Sequence, residues 1–314
     1  MYRSLLVPLD GSPFAEHALA LALSIAKRAE AEVKLVYVRN PLEADYHEAH
    51  LLTEQPWTTE LKTRHRAYLD DIAQRLQAGG AKITAPAILQ GEISSTICRY
   101  VIDSQIDLVV MTTHARGPVA RMWLGSVADR LIRELARPVL LVRPSEEKAD
   151  LTADPILQHV LVPLDGTEVA EEILKPGVAL GELMGAEYTL LRVVRPGAPV
   201  HYPPEGALLD SSPESIRQQL QRVETEMRRQ GQEYLDEVAR RLRGNLLRVH
   251  TLLVQEAHPA EAVIEAAQKL STDLIAMQTH GRRGVSRLLL GSVADKVLRG
   301  SKVPLLVQGP AHSV

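Results

Sequence analysis

The chain has 314 residues, 45% of them apolar and 24% charged, with a formal charge of −3; at ~150 residues per domain this predicts about two soluble globular domains. Residues 1–155 hold 18 basic and 20 acidic side chains and the remainder 18 and 19, so neither half is polarised and charge points to no nucleic-acid or anionic-membrane partner. A single cysteine, Cys98, excludes a disulfide scaffold or a multi-cysteine metal site, and no uncharged run approaches the ~18 residues of a membrane span. The opening MYRSLLVPLDG has no apolar leader core, and the expectation is a cytoplasmic protein.

In chain order, Ser4–Leu9 is a short apolar run and predicts a buried strand. Ser12 suits the cap and Pro13 the first turn of a helix whose apolar face carries Phe14, Ala18, Leu21 and Ile25. Val33–Val38 is the second strand. Leu61, Tyr68, Ile72 and Leu76 mark a second helix that Gly79-Gly80 ends. Ile83–Leu89, Asp107–Met111 and Val139–Arg143 predict three more strands, with helices at about 93–104 and 126–136 between them.

The chain then repeats itself. LLVPLDG at 5–11 returns as VLVPLDG at 160–166, and LGSVAD at 124–129 returns at 290–295. The offset grows from 155 to 166, so the second copy carries 11 extra residues in its middle. The polar stretch between Pro144 and Pro155 reads as a linker, which gives domains at 1–144 and 156–310 joined by residues 145–155. Strands of the second copy fall near 158–164, 187–194, 248–254, 273–278 and 303–308. Its second helix opens at Ser212-Pro213 and carries Ile216, Leu220, Val223, Met227, Tyr234, Val238 and Leu242. Pro176-Gly177 is expected to kink or break its first helix. Alternating strands and helices with apolar strands predict, for each copy, an α/β doubly wound domain with a five-stranded parallel sheet.

Ligands of such sheets bind beyond the strand C-termini, where strand order switches. Two loops per copy stand there. One follows the first strand: Pro8-Leu9-Asp10-Gly11-Ser12 and Pro163-Leu164-Asp165-Gly166-Thr167. An aspartate leaving this strand is placed to bind a ribose hydroxyl or to close a turn. The other follows the fourth strand: Thr112-Thr-His-Ala115 and Gln278-Thr-His-Gly281, each followed after nine residues by Gly-Ser before a helix. Free N–H groups at such a helix start attract anions, although Gly-Ser is also a common cap. Arg116, Arg121, Arg282, Arg283 and Arg287 fall within these spans and suit either phosphate pairing or solvated loop positions. His114 and His280 read more readily as packed or turn-bonding residues.

With these motifs the chain resembles the universal stress protein family in its tandem form, over nearly its whole length. The resemblance implies a Rossmann-like domain of the adenine nucleotide alpha hydrolase type that binds ATP, with ADP or AMP as alternatives and Mg²⁺ as an accompanying ion. Carried over residue by residue, it implies a site of Pro8, Leu9, Asp10, Val38, Met111, Ala115, Arg116, Gly125, Ser126 and Val127 in the first copy. In the second it implies Pro163, Leu164, Asp165, Val193, Met277, Gly281, Arg282, Gly291, Ser292 and Val293. The family's Gly-two residues-Gly pattern departs to Thr112 and Ala115 in the first copy and to Gln278 in the second, which keeps Gly281. The second copy therefore has the better-formed site. The resemblance also implies pairing of the last strands, Val139–Arg143 with Val303–Gln308, as an intramolecular pseudo-dimer, with a homodimer of chains and a regulatory protein partner as further expectations.

Other signals carry little. His47-Glu48-Ala49-His50 has spacing i, i+3 where a zinc-binding helix needs i, i+4. No phosphate-binding GxxxxGK[ST] or nucleophile GxSxG motif occurs. Cys98, on an apolar helix stretch, reads as a structural thiol. No water-activating base can be named, so the expectation is no dedicated catalyst; slow ATP hydrolysis and a nucleotide-independent interaction module are the alternatives.

Overall fold

A computed structural model describes residues 2–40, 59–113, 124–196, 213–279 and 290–309. The first copy runs β1 (Ser4–Leu9), α1 (His17–Ala29), β2 (Glu32–Arg39), α2 (Thr59–Ala78), β3 (Lys82–Ile83), β4 (Ala87–Gln90), α3 (Ile93–Asp103), β5 (Leu108–Thr112), α4 (Ser126–Glu134) and β6 (Val139–Val142). The second runs β7 (His159–Pro163), α5 (Glu168–Glu171), α6 (Leu174–Glu182), β8 (Glu187–Val194), α7 (Pro213–Arg243), β9 (Val249–Gln255), α8 (Pro259–Lys269), β10 (Leu274–Gln278), α9 (Ser292–Gly300) and β11 (Leu305–Gln308).

All eleven strands form one sheet in the order β3-β2-β1-β5-β6-β11-β10-β7-β8-β9, with β4 extending β3's side of β2. Pairing is parallel throughout except at the centre, where β6 and β11 run antiparallel with Leu141, Leu140 and Val139 opposite Leu305, Leu306 and Val307. The last strands thus meet within one chain and leave no sheet edge between the copies. Because side chains alternate along a strand, each strand feeds two cores. Leu5, Val7 and Leu9 pack with α1, α2, α6 and α7 on one face. Leu6, Met111 and Leu141 pack with α3, α4, α8 and α9 on the other.

Three local expectations are corrected. The strand predicted over Ile83–Leu89 is two, β3 and β4, because Pro86 has no N–H for the ladder; its carbonyl is taken by Arg66 Nη1 at 2.9 Å. The first helix starts at His17, after turns in which Ser12 Oγ accepts from Ala15 N at 3.3 Å. Ser12 therefore caps the turn and not α1. Pro176 and Gly177 lie inside α6, and the break falls upstream between α5 and α6. Pro176 sits in the first helical turn, where a missing N–H costs nothing, and Gly177 lets the helix settle against Ala276 of β10.

The connection between the copies is fastened to α1. Arg28 meets Asp154 with two bonds of 2.7 and 2.8 Å. Ser24 Oγ donates to Pro155 O at 2.6 Å, and His17 Nε2 lies 2.8 Å from Glu147 O.

Candidate functional site

Strand order reverses between β1 and β5 in the first copy and between β7 and β10 in the second. Chains leaving these strand pairs turn to opposite faces and open a crevice at the C-terminal edge of the sheet. Asp10 and Asp165 stand on one wall. Each carboxylate closes a turn: Asp10 Oδ1 accepts from Ser12 N at 2.9 Å, and Asp165 Oδ1 from Thr167 N at 3.0 Å and Thr167 Oγ1 at 2.7 Å. The intervening Gly11 and Gly166 have φ of +80° and +87°, which an L side chain resists. The Asp-Gly pair is thus a rigid corner that leads the chain off the strand.

The other wall is the start of α4 and α9. Gly125 and Gly291 are their N-caps, extended at φ −61° and −59°, and glycine has no side chain with which to cap the first-turn N–H groups. Ser126 and Ser292 follow and are exposed. In both copies a backbone bond pins this start to the end of the neighbouring strand: Gly125 N to Thr113 O at 2.9 Å, and Gly291 N to Thr279 O at 2.8 Å. Two nine-residue helices therefore start beside the switch points, with no cap from the side chain of their N-cap residue, an arrangement whose chemistry suits an anion.

Apolar residues line the second face beneath these walls. Val38, Met111 and Val127 lie there in the first copy, and Val193, Met277 and Val293 in the second. Leu9 and Leu164 are buried on the opposite face, while Pro8 and Pro163 are half-buried at the strand ends. Ala115, Arg116, Gly281 and Arg282 fall outside the described residues, as do His47–His50, Arg121, Arg283, Arg287, His114 and His280. Cys98 is buried, and burial pushes its thiol up to about 12. Among the described residues no group of three or more His, Cys, Asp and Glu could hold a metal, and no helix is long and apolar enough to cross a membrane.

The structure shows what Gln278 of the strand-four motif does and adds residues outside any motif. Gln278 is 6% exposed and turns its amide toward the break between α5 and α6, where Nε2 donates to Glu172 Oε2 at 3.0 Å. That partner, an acceptor only, fixes which end of the amide faces it. Beside Asp165, the guanidinium of Arg192 packs under Gly166 and sits 4.9 Å from the ring of Tyr234. Its counterpart in the first copy is Tyr37, stacked on His65 at 4.2 Å. These pairs join β2 to α2 and β8 to α7, elements distant in sequence, so no local motif announces them.

The family model described as the universal stress protein family matches residues 1–143 and again 157–308. The chain belongs to the universal stress protein family. It is 25% identical over 311 residues to a universal stress protein E homolog of Haemophilus influenzae, covering 95% of this chain and 94% of that protein. It is 30% identical over 152 residues to a universal stress protein of Methanocaldococcus jannaschii, covering 48% of this chain and 82% of that one. A universal stress protein from Archaeoglobus fulgidus has the same fold, at a TM-score of 0.65 and 17% identity over 99% of this chain and 97% of that one. Universal stress domains thus occur twice in this chain, each an α/β sheet flanked by helices.

Proposed function

We propose that this universal stress protein binds an adenine nucleotide, ATP foremost, at one or both switch points and serves as a cytoplasmic stress-response module. The observation that carries this reading is the pair of helix starts whose N-cap glycines are tied to the strand next to the one that ends in the Asp-Gly corner. Phosphates would lie on the N–H groups of Ser126 and Val127, or of Ser292 and Val293, where the helix dipole favours negative charge. The base would rest on the apolar side formed by Val38 and Met111, or Val193 and Met277. Asp10 and Asp165, rigidly held, would receive the ribose or base. Mg²⁺ would arrive with the phosphates and be held mainly by them.

The second site is the stronger of the two. It keeps Gly281, and Gln278, although large, is drawn away to Glu172. Titration calorimetry with ATP tests the reading. Heat on binding, with a melting temperature that rises at millimolar nucleotide, is the expected result; neither heat nor a shift rejects it. Gly291→Leu should abolish binding at the second site, because its side chain would stand where the phosphates approach. Unchanged ATP affinity in that variant rejects the site assignment. Phosphate release from the bound nucleotide separates a slow ATPase from a binding module.

A further inference from the structure

The two outer edges of the sheet are unlike. At the first copy's end, Pro86 cuts the edge into strands of two and four residues. At the second copy's end β9 runs unbroken for seven residues, VHTLLVQ, with neither proline nor lysine, the two residues that commonly blunt an edge.

The hydrogen-bond pattern shows which groups of β9 face outward. Tyr188 N donates to Arg248 O at 2.8 Å and Glu256 N to Val194 O at 3.0 Å. In a parallel pair this places the even-numbered residues of β9 toward β8, so Val249, Thr251, Leu253 and Gln255 direct N–H and C=O away from the sheet. Val249 O is closed off by the Arg243 guanidinium, whose Nη2 donates to it at 2.6 Å. Thr251, Leu253 and Gln255 remain, and among the described residues no strand pairs with them.

We propose that this edge pairs with β9 of a second copy of the chain, antiparallel, about a two-fold axis at Leu253. In that register Thr251 faces Gln255 of the second copy and Leu253 faces its own equivalent, and the six outward groups of each copy's three residues are satisfied. The side chains match as well. Leu252 meets Val254 of the second copy on the face where both already pack against the apolar core, and both are half-buried. His250, exposed and 3.8 Å from Glu187 of its own chain, meets Glu256 of the second copy. Each contact occurs twice, as an isologous interface requires. The chain already joins its halves by antiparallel pairing of β6 with β11, and a β9 junction continues the same sheet. With one competent edge per chain, the assembly closes as a dimer and does not extend into a filament.

Sedimentation velocity on the full chain, with residue-resolved hydrogen exchange, tests this. The expected species has twice the chain mass of 34.6 kDa. Its amides at Thr251, Leu253 and Gln255 exchange slowly when concentrated and quickly when diluted, while those at His250, Leu252 and Val254 stay protected in both. His250→Glu, an exposed change that sets like charges opposite each other twice, should weaken the dimer about tenfold. A chain that is monomeric at all concentrations overturns the proposal. So does a dimer in which the three outward amides exchange equally fast at every concentration, since another surface would then hold it.

Discussion

At the residue scale, the two copies are held by contacts that tolerate little change. Tyr188 is fully buried, and its hydroxyl donates to Val178 O at 3.0 Å. It reaches that carbonyl across Gly181, where an added Cβ would overlap the Tyr188 hydroxyl. Gly181 has helical backbone within α6, so its need is for space and not for unusual φ. Gly181→Ala should therefore lose about 1–3 kcal/mol through overpacking, despite alanine's better helix propensity. Tyr188→Phe should lose about 1 kcal/mol with its hydrogen bond. Combined, they should cost less than their sum, because the second change removes the nearest of the ring atoms and hydroxyl that the first one strikes. Urea unfolding of the four proteins of this cycle reads the coupling directly, and strict additivity would contradict the contact. The same scale holds the parts of the site that sequence made visible. Asp10 and Asp165 stand out as residues leaving a strand before glycine, and Gly125-Ser126 and Gly291-Ser292 as helix starts, because each is set by neighbours within three positions. Arg192 under Gly166 and Gln278 against Glu172 are set by tertiary packing, and no spacing rule reaches them.

At the scale of the element, strand and helix identities followed from apolar periodicity, and the departures trace to single backbone constraints. Pro86 divides a strand that its apolar content alone makes continuous. Turns after Asp10 delay α1 by about one helical turn, to His17, whereas after the equivalent Gly166 a short helix starts at once at Glu168. The long helix α7 was visible as an extended apolar repeat, yet Leu220 on that repeat is 53% exposed, and its buried positions begin only near Gly231. Periodicity reports which residues share a face; it does not report how far the sheet beneath extends. The connection after β6 is also more structured than its polar composition suggests, because Arg28 and Ser24 of α1 hold it. The Arg28 guanidinium pulls Asp154 down to about 2, mainly through its hydrogen bond. A carboxylate depressed in the folded state adds stability above its unfolded value near 4, and this is lost as pH falls toward 2. Asp154 is half exposed, so solvent screening limits the gain to under about 1 kcal/mol. Asp154→Asn should be slightly less stable than the parent at pH 7, and the gap should close between pH 4 and pH 2. Urea midpoints across that range check the sign, and a gap that widens on acidification would refute the assignment.

At the scale of the molecule, the two universal stress domains share one sheet. Both cores run through the β6–β11 junction: Leu140 and Leu306 are fully buried, lie opposite each other and belong to the same apolar face. Tyr2 of the first copy donates to Pro176 O of the second at 2.8 Å. Gln308 Nε2 donates to Ala136 O at 3.3 Å, while Gln308 O accepts from Thr279, the residue that pins the start of α9. The second copy's helix start is thus connected through two residues, Thr279 and Gln308, to the first copy's α4–β6 turn. If the junction is a shared core, damage on one side must appear on the other. Leu140→Ala should cost about 2–5 kcal/mol, as truncation of a fully buried leucine does when its surroundings cannot collapse. The loss should not stay in the first copy. Native-state hydrogen exchange should show β11 and β10 amides losing protection together with those of β5 and β6, in one cooperative unit. If the copies were independent bodies joined by a tether, β10 would keep its full protection while β5 lost it, and the measurement distinguishes the two outcomes residue by residue.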